Sequence, residues 1–224
     1  MADSGAATLR TIDDLRGPAG KLEALLNTGG PDAAMAALVC HPHPLGGGTM
    51  HNKVVYHAMK ALQTLGLPVL RFNFRGTGLS DGTHDHGHGE QDDVRAAVDW
   101  LDREFGLPVL CAGFSFGAAV GLRACCGDPR VQGLVALGLP THAEGRDYHY
   151  QFLQSCPQPK LFISGTMDQF APRKQLEAVF DEVAPPVEVV WVEGAEHFFT
   201  GKLDEVQLAI RNWVQTYLLP TKVS

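Results

Sequence analysis

Short apolar segments alternate with amphipathic segments along nearly the whole chain, and this alternation limits the fold more than any other feature of the sequence. The segments predicted as strands are residues 8–12, 21–26, 36–40, 69–74, 109–112, 133–139, 161–164 and 187–192. The segments predicted as helices are residues 57–65, 92–105, 116–125, 172–180 and 203–218. Strands that alternate with helices form a mostly parallel sheet with helices on both faces. The chain therefore predicts an α/β fold with about eight strands in its central sheet.

Length and composition predict one domain over residues 1–224. The 224 residues are 45% hydrophobic and 19% charged, which is enough apolar material for a sizeable core. No internal repeat or Pro/Ser-rich linker divides the chain, and residues 140–160, the longest stretch without predicted structure, are too few for a cap domain. The net charge of −7 argues against nucleic acid as a partner, because an acidic surface repels phosphates.

The sequence predicts a cytoplasmic protein without a membrane span. Residues 105–122 carry no charge, but one proline and four glycines interrupt them, which favours a strand, a turn and a helix start. The N-terminus lacks the basic and apolar regions of a signal peptide. The chain has five cysteines, an odd number, and no Cys-x-x-Cys motif. Both observations indicate reduced thiols.

Two segments match the pattern Gly-x-Ser-x-Gly, centred on Ser115 and on Ser80. A catalytic serine in this pattern lies on a sharp turn between a strand and a helix. Ser115 follows a predicted strand directly and precedes a predicted helix, whereas residues 75–78 intervene between Ser80 and its strand and further glycines follow it. Ser115 is therefore the predicted nucleophile, and the alternative for its segment is a glycine-rich turn without chemistry.

A serine hydroxyl needs a base to take its proton and a carboxylate to orient that base. Asp168 follows the predicted strand 161–164, and His197 follows the strand 187–192, so both side chains are expected at the sheet edge that presents Ser115. Glu193 and Glu196 are rival acids. The plainer alternatives are a helix-capping role for Asp168 and a surface position for His197.

An acyl transfer also needs two backbone donors for the oxyanion of the tetrahedral intermediate. Phe116, which follows the predicted nucleophile, supplies the first N–H group. The second is expected from the loop after residues 36–40, where Pro42 and Pro44 have no N–H group to offer. His43 and then Leu45 are the preferred donors, and a simple Pro/Gly-rich turn is the alternative.

Together these residues resemble the α/β-hydrolase superfamily over almost the whole chain. The loop 41–48, the segments 52–55 and 71–76 and the segment 112–117 are similar to a narrower group, the small lidless bacterial hydrolases or esterases related to dienelactone hydrolases. The resemblance implies a catalytic triad of Ser115, Asp168 and His197, no cofactor, and a carboxylic ester or similar acyl substrate. True dienelactone hydrolases use cysteine as nucleophile, so the serine here argues against dienelactone itself.

Three further features bear on the site. The tract His84–His88 has metal-binding residue types, but alternate residues of a glycine-rich loop need not converge, and we predict no metal. Tyr148, Tyr150 and Phe198 are candidate walls of the substrate pocket, with packing against the sheet as the alternative. Arg75 is expected to anchor its loop through carboxylate bonds.

Three functions stay open on the sequence alone. The leading one is hydrolysis of small carboxylic esters through an acyl-enzyme intermediate, with a small-molecule ester as the only expected partner. The second is thioester, amide or C–C hydrolysis, or acyl transfer, on the same triad, because fold and triad do not separate these reactions. The third is a non-catalytic binding protein. The sequence leaves the oligomeric state open between monomer and homodimer.

Overall fold

A computed structural model describes residues 8–143 and 146–219. One sheet of eight strands lies at the centre. Its strands are β1 (Leu9–Ile12), β2 (Ala24–Asn27), β3 (Ala36–Cys40), β4 (Val69–Phe72), β5 (Val109–Phe114), β6 (Val131–Leu137), β7 (Lys160–Gly165) and β8 (Val187–Val192). The helices are α1 (Lys53–Gln63), α2 (Gly89–Phe105), α3 (Phe116–Cys125), α4 (Arg173–Phe180) and α5 (Leu203–Tyr217).

The strand order across the sheet is β1-β2-β4-β3-β5-β6-β7-β8. Strands β3 to β8 run parallel, and β2 is antiparallel to both of its neighbours. The predicted α/β-hydrolase architecture, a mostly parallel sheet with helices on both faces, is confirmed.

Helices cover the sheet on both faces, and two apolar clusters form the core. Helices α1 and α5 pack on one face, while α2, α3 and α4 contribute to the cluster on the other. Strand β3 contributes side chains to both clusters, and all five of its residues are buried. Ala36, Leu38 and Cys40 face one cluster, and Ala37 and Val39 face the other.

The segment between β6 and β7 is a short excursion. It contains two-residue strands, His142–Ala143 and Arg146–Asp147, and a 3-10 turn at Gln151–Ser155. Within residues 8–143 and 146–219 it builds no cap domain, as predicted. None of the helices in these ranges has the length and apolar character needed to cross a bilayer.

Two helix starts differ from the prediction for a local reason. Helix α1 begins at Lys53, four residues before the predicted start, because the Asn52 side chain accepts a hydrogen bond from Val54 N and caps the helix. Helix α2 begins at Gly89, three residues early, because the Asp85 carboxylate accepts from Gly89 N. Both starts depend on side-chain contacts that the hydrophobic pattern does not record.

Candidate active site

The register of the parallel strands brings four loops to one edge of the sheet. The last residue of β3, Cys40, lies opposite Gly113 of β5, and the last residue of β7, Gly165, lies opposite Val192 of β8. The loops after β3, β5, β7 and β8 therefore leave the sheet side by side. This is the edge at which open α/β sheets bind their ligands.

Ser115 lies on a sharp turn between β5 and α3. Its φ of 54° and ψ of −120° place it in a backbone region that residues other than glycine rarely adopt. The two glycines of its pattern are required by close contacts. A Cβ atom on Gly113 would lie 2.4 Å from the Gly117 carbonyl oxygen, and one on Gly117 would lie 2.4 Å from that of His41.

Ser115, His197 and Asp168 form a continuous chain of hydrogen bonds. The Ser115 Oγ lies 2.9 Å from His197 Nε2, and His197 Nδ1 lies 2.7 Å from Asp168 Oδ2. The second oxygen of Asp168 accepts from Phe170 N at 2.8 Å. Because a carboxylate only accepts hydrogen bonds, the His197 proton lies on Nδ1, and Nε2 is left to accept the serine proton.

Aromatic rings surround the imidazole of His197, which is 3% exposed. The ring centroids of Phe170, Phe114 and Phe198 lie 4.7, 5.0 and 5.3 Å from its own. On another side a Cβ atom at Gly138 would lie 3.2 Å from His197 Cε1. Sequence reasoning missed Phe114, Phe170 and Gly138, since nothing in the pattern shows that they contact the imidazole.

The rival acids lie apart from the Nδ1 atom of His197. The Glu196 carboxylate accepts hydrogen bonds from Phe198 N and Thr200 N, both at 2.8 Å. Partial burial acts to raise the pKa of Glu196, but these two backbone bonds, the Thr200 side chain and the charge of His197 together lower it. Glu193 is exposed. Asp168 alone of the three makes the hydrogen bond to Nδ1.

Ser80, the serine of the second pattern, has a structural role. It is nearly buried; its Oγ accepts from Glu23 N at 2.9 Å and donates to Asn73 O at 2.7 Å. The hydroxyl thus joins the start of β2 to the chain that follows β4.

The candidate oxyanion donors lie at the start of α3 and in the loop after β3. Neither Phe116 N nor His43 N hydrogen-bonds to an acceptor among the described residues. The His43 and Phe116 rings are in edge contact, with centroids 4.8 Å apart. Leu45 is 74% exposed, and its N–H likewise has no acceptor among the described residues. The ring contact places His43, but not Leu45, against Phe116.

His41, which sequence reasoning did not assign, anchors this loop. Its Nδ1–H donates to Pro42 O at 2.6 Å, and its Nε2 accepts from Phe74 N at 3.0 Å, just beyond β4. Burial lowers the pKa of His41 to about 4, so the imidazole is neutral near pH 7. A histidine directly after a strand was the only signal in the sequence.

A cavity of about 630 Å³ begins beside these donors. His43 and Phe116 line its inner end, α3 forms one wall, and the tract His84–His88 forms another. The segment 146–150 closes it from the third side, and both Tyr148 and Tyr150 contribute to it. Phe198 lies beside His197 and does not line this cavity.

The histidine tract contributes walls to the cavity. Among the described residues, no group of three or more His, Cys, Asp and Glu side chains is arranged to hold a metal ion. His84 Nδ1 lies 2.8 Å from Glu90 Oε1, in an orientation that does not make an aligned hydrogen bond. Arg75 binds the buried Asp93 carboxylate through Nε and Nη2, at 3.0 and 2.7 Å, which confirms its predicted anchoring role.

Comparison with known proteins gives the family. The sequence profile of the alpha/beta hydrolase domain matches residues 35–215. The chain belongs to the α/β-hydrolase family. An uncharacterised protein of Rickettsia prowazekii is 35% identical to this hydrolase over 207 residues, which are 89% of this chain and 87% of the relative.

Solved structures of α/β hydrolases superpose closely on this one. A Xanthomonas campestris protein described as an α/β serine hydrolase without a lid is 35% identical, with a TM-score of 0.84 over 98% of both chains. An α/β serine hydrolase homologue from Coxiella burnetii is 36% identical, with a TM-score of 0.80 over 95% of this chain and 99% of the other. The predicted resemblance to small lidless hydrolases is confirmed.

Proposed function

We propose that this α/β hydrolase cleaves carboxylic esters of small acyl groups, with Ser115 as nucleophile, His197 as general base and Asp168 as the residue that orients it. The unbroken hydrogen-bonded chain from Ser115 Oγ through the imidazole to Asp168 carries this proposal. A serine on a strained turn, beside a base in the correct tautomer, is the arrangement that acyl transfer requires.

In the first half of the reaction, His197 Nε2 takes the Ser115 proton as Oγ attacks the ester carbonyl. The imidazolium that forms is stabilised by Asp168, which is 4% exposed and therefore little screened by water. The aromatic rings around His197 keep its plane aligned with both partners.

The carbonyl oxygen becomes an oxyanion and needs donors that already point at it. Phe116 N and His43 N are free to donate, and His41 and the two prolines restrict movement of the loop that carries His43. Ser115 caps the N-terminus of α3, whose partial positive charge further stabilises the oxyanion. Collapse of the intermediate passes the proton from His197 to the departing alcohol, and water then repeats the sequence to release the acid.

The same residues would act on thioesters or amides, so the substrate class needs a direct test. We expect covalent labelling by a fluorophosphonate at Ser115, and turnover of p-nitrophenyl esters above that of matched thioesters and anilides. If Ser115 is labelled but thioesters or anilides are turned over faster than esters, the protein is a thioesterase or an amidase instead of an esterase. Absence of both labelling and turnover would leave a binding protein.

Chain length within the ester series tests the small-acyl part of the proposal. Each enclosed CH₂ group contributes about 0.8 kcal/mol, and that gain ends where the protein no longer covers the chain. We expect kcat/KM to peak at acyl chains of about two to six carbons and to fall by twelve, without a jump at the micelle concentration. A rate that climbs to sixteen carbons would indicate a lipase-like enzyme. The predicted cytoplasmic location belongs to this proposal, and cell fractionation tests it.

A further inference from the structure

The cavity beside the proposed oxyanion donors is lined by basic side chains, with the buried Glu90 behind the lining against His84. The chain carries a net charge of −7. Among the described residues that line the cavity, however, two are arginines, Arg123 and Arg146, five are histidines, and none is acidic. Such a concentration of cationic and N–H donor groups in a concave site raises the local concentration of anions.

Arg146 lines the cavity together with His43 and Tyr148. Burial lowers the pKa of His43 to about 4, the positive charge of Arg146 acts in the same direction, and the charge of Glu90 opposes them. Burial raises the pKa of Tyr148, against which the charge of Arg146 and its hydrogen bond act. Arg146 therefore shares the cavity with a residue of the proposed oxyanion loop and with a tyrosine of the wall.

Arg123 also lines the cavity. Its guanidinium donates to the His149 carbonyl and lies over the Phe152 ring, with Cζ 4.4 Å from the ring centroid. These two contacts fix the group at the cavity wall but leave N–H donors unused. Among the side chains that the structure describes, those of residues 8–143, 146 and 148–219, no carboxylate forms an ion pair with Arg123 or Arg146.

Two ring nitrogens of the lining residues lack a partner. His43 Nδ1 and His84 Nε2 are inaccessible to solvent and have no hydrogen-bond partner among the described residues. Because solvent does not reach these two atoms, an anion in the cavity would meet the guanidinium groups instead. A guanidinium offers several N–H donors, which suit a group with several acceptor oxygens.

We propose that this cavity is a subsite for an acidic group of the substrate, so that the preferred ester carries a carboxylate or phosphate at the far end of its acyl part. The inference rests on the proposed ester hydrolysis at Ser115. Arg146 is the main ligand of the acidic group, because it lines the cavity together with His43 and its side chain is exposed rather than built into the fold. Bidentate bonds from a guanidinium suit both carboxylate and phosphate.

Two esters of the same shape test the proposal. Monoethyl adipate carries a carboxylate at the far end of its acyl chain, and ethyl adipamate carries a neutral amide in the same place. We expect kcat/KM of the wild-type protein for the acid to exceed that for the amide by about tenfold, and the ratio to fall as salt rises. Ethyl 5-phosphonopentanoate, compared with the adipate, shows whether carboxylate or phosphate is preferred.

The variant Arg146→Gln should reduce the acid-to-amide ratio to near one, and Arg146→Lys should restore part of it. Because the ratio compares isosteric substrates on one variant, a general loss of structure does not change it. Arg10→Gln, on β1 and far from the cavity lining, is the matched control and should leave the ratio unchanged.

The outcomes separate the two proposals. A wild-type ratio near one, or a ratio that Arg146→Gln leaves unchanged, overturns the acidic subsite while p-nitrophenyl butyrate is still hydrolysed. Loss of all ester turnover together with fluorophosphonate labelling would instead refute the proposed function.

Discussion

Ser115 and Ser80 occupy the same position in the same five-residue pattern, yet their surroundings differ completely. Ser115 lies on a strained turn, with its Oγ 2.9 Å from an imidazole nitrogen. Ser80 lies in a loop, with its Oγ engaged by two backbone groups. The pattern alone does not separate a reactive hydroxyl from one whose hydrogen bonds are already satisfied.

The boundaries of the neighbouring elements account for the difference. Strand β5 runs to Phe114 and α3 begins at Phe116, so Ser115 is the single residue between them. The strand before Ser80 ends at Phe72, and the next helix begins only at Gly89. A serine held between a strand and a helix projects from the sheet edge, whereas a serine in a long loop is free to turn inward and satisfy backbone groups.

The largest expected effect is that of Ser115→Ala. Removal of the proposed nucleophile should lower kcat by about 10⁶-fold, as in serine proteases, and abolish fluorophosphonate labelling. Circular dichroism and thermal unfolding should stay close to those of the wild type, because only one hydroxyl is lost. Peptide mapping that placed the label on Ser80 would make Ser80, and not Ser115, the nucleophile.

The next effect is that of Asp168→Asn, compared with Glu196→Gln. An asparagine can donate to Nδ1 and so stabilise the wrong imidazole tautomer, which should reduce kcat by about 10⁴-fold. Glu196 binds only its own turn, so its variant should lose less than about tenfold. Steady-state kinetics on a p-nitrophenyl ester compares the two, and equal losses would contradict the assignment of the acid.

The smallest effect on activity is expected for Ser80→Ala. Its hydroxyl satisfies Glu23 N and Asn73 O, so its removal should lower the free energy of unfolding by about 1–3 kcal/mol. The rate should stay within about twofold of the wild type, since Ser80 is remote from the triad. Urea unfolding measures the first quantity, and the ester assay measures the second. A large fall in rate with unchanged stability would give Ser80 a part in the chemistry.

The sequence predicts the fold well where hydrophobic periodicity controls it. Strand β8 and helix α3 have the predicted bounds, and every predicted strand and helix is present. The starts of α1 and α2 were wrong by three or four residues, because the side chains of Asn52 and Asp85 contact backbone groups there. Such polar contacts are too specific for a hydrophobic pattern to record.

The candidate site, like the fold, could be predicted from the sequence only in part. The hydrogen-bonded chain of Ser115, His197 and Asp168 could be predicted because each member follows a strand of a parallel sheet, and strand ends share an edge. The ring packing of Phe114 and Phe170, the space at Gly138 and the cavity could not be predicted. These features depend on side chains from distant segments meeting in space, and a single sequence contains no record of such meetings.

The buried His41 makes the stability of the loop after β3, which carries the proposed oxyanion donor His43, sensitive to acid. An imidazole with a pKa of about 4 in the fold and an ordinary pKa near 6.5 in the unfolded chain binds a proton mainly when the protein unfolds. Above pH 6.5 the histidine is neutral in both states and its titration has no effect. As the pH falls from 6.5 to 4, proton uptake favours the unfolded chain by up to about 3 kcal/mol. Comparing the pH dependence of the free energy of unfolding in the wild type and in His41→Gln isolates this contribution, which should disappear in the variant.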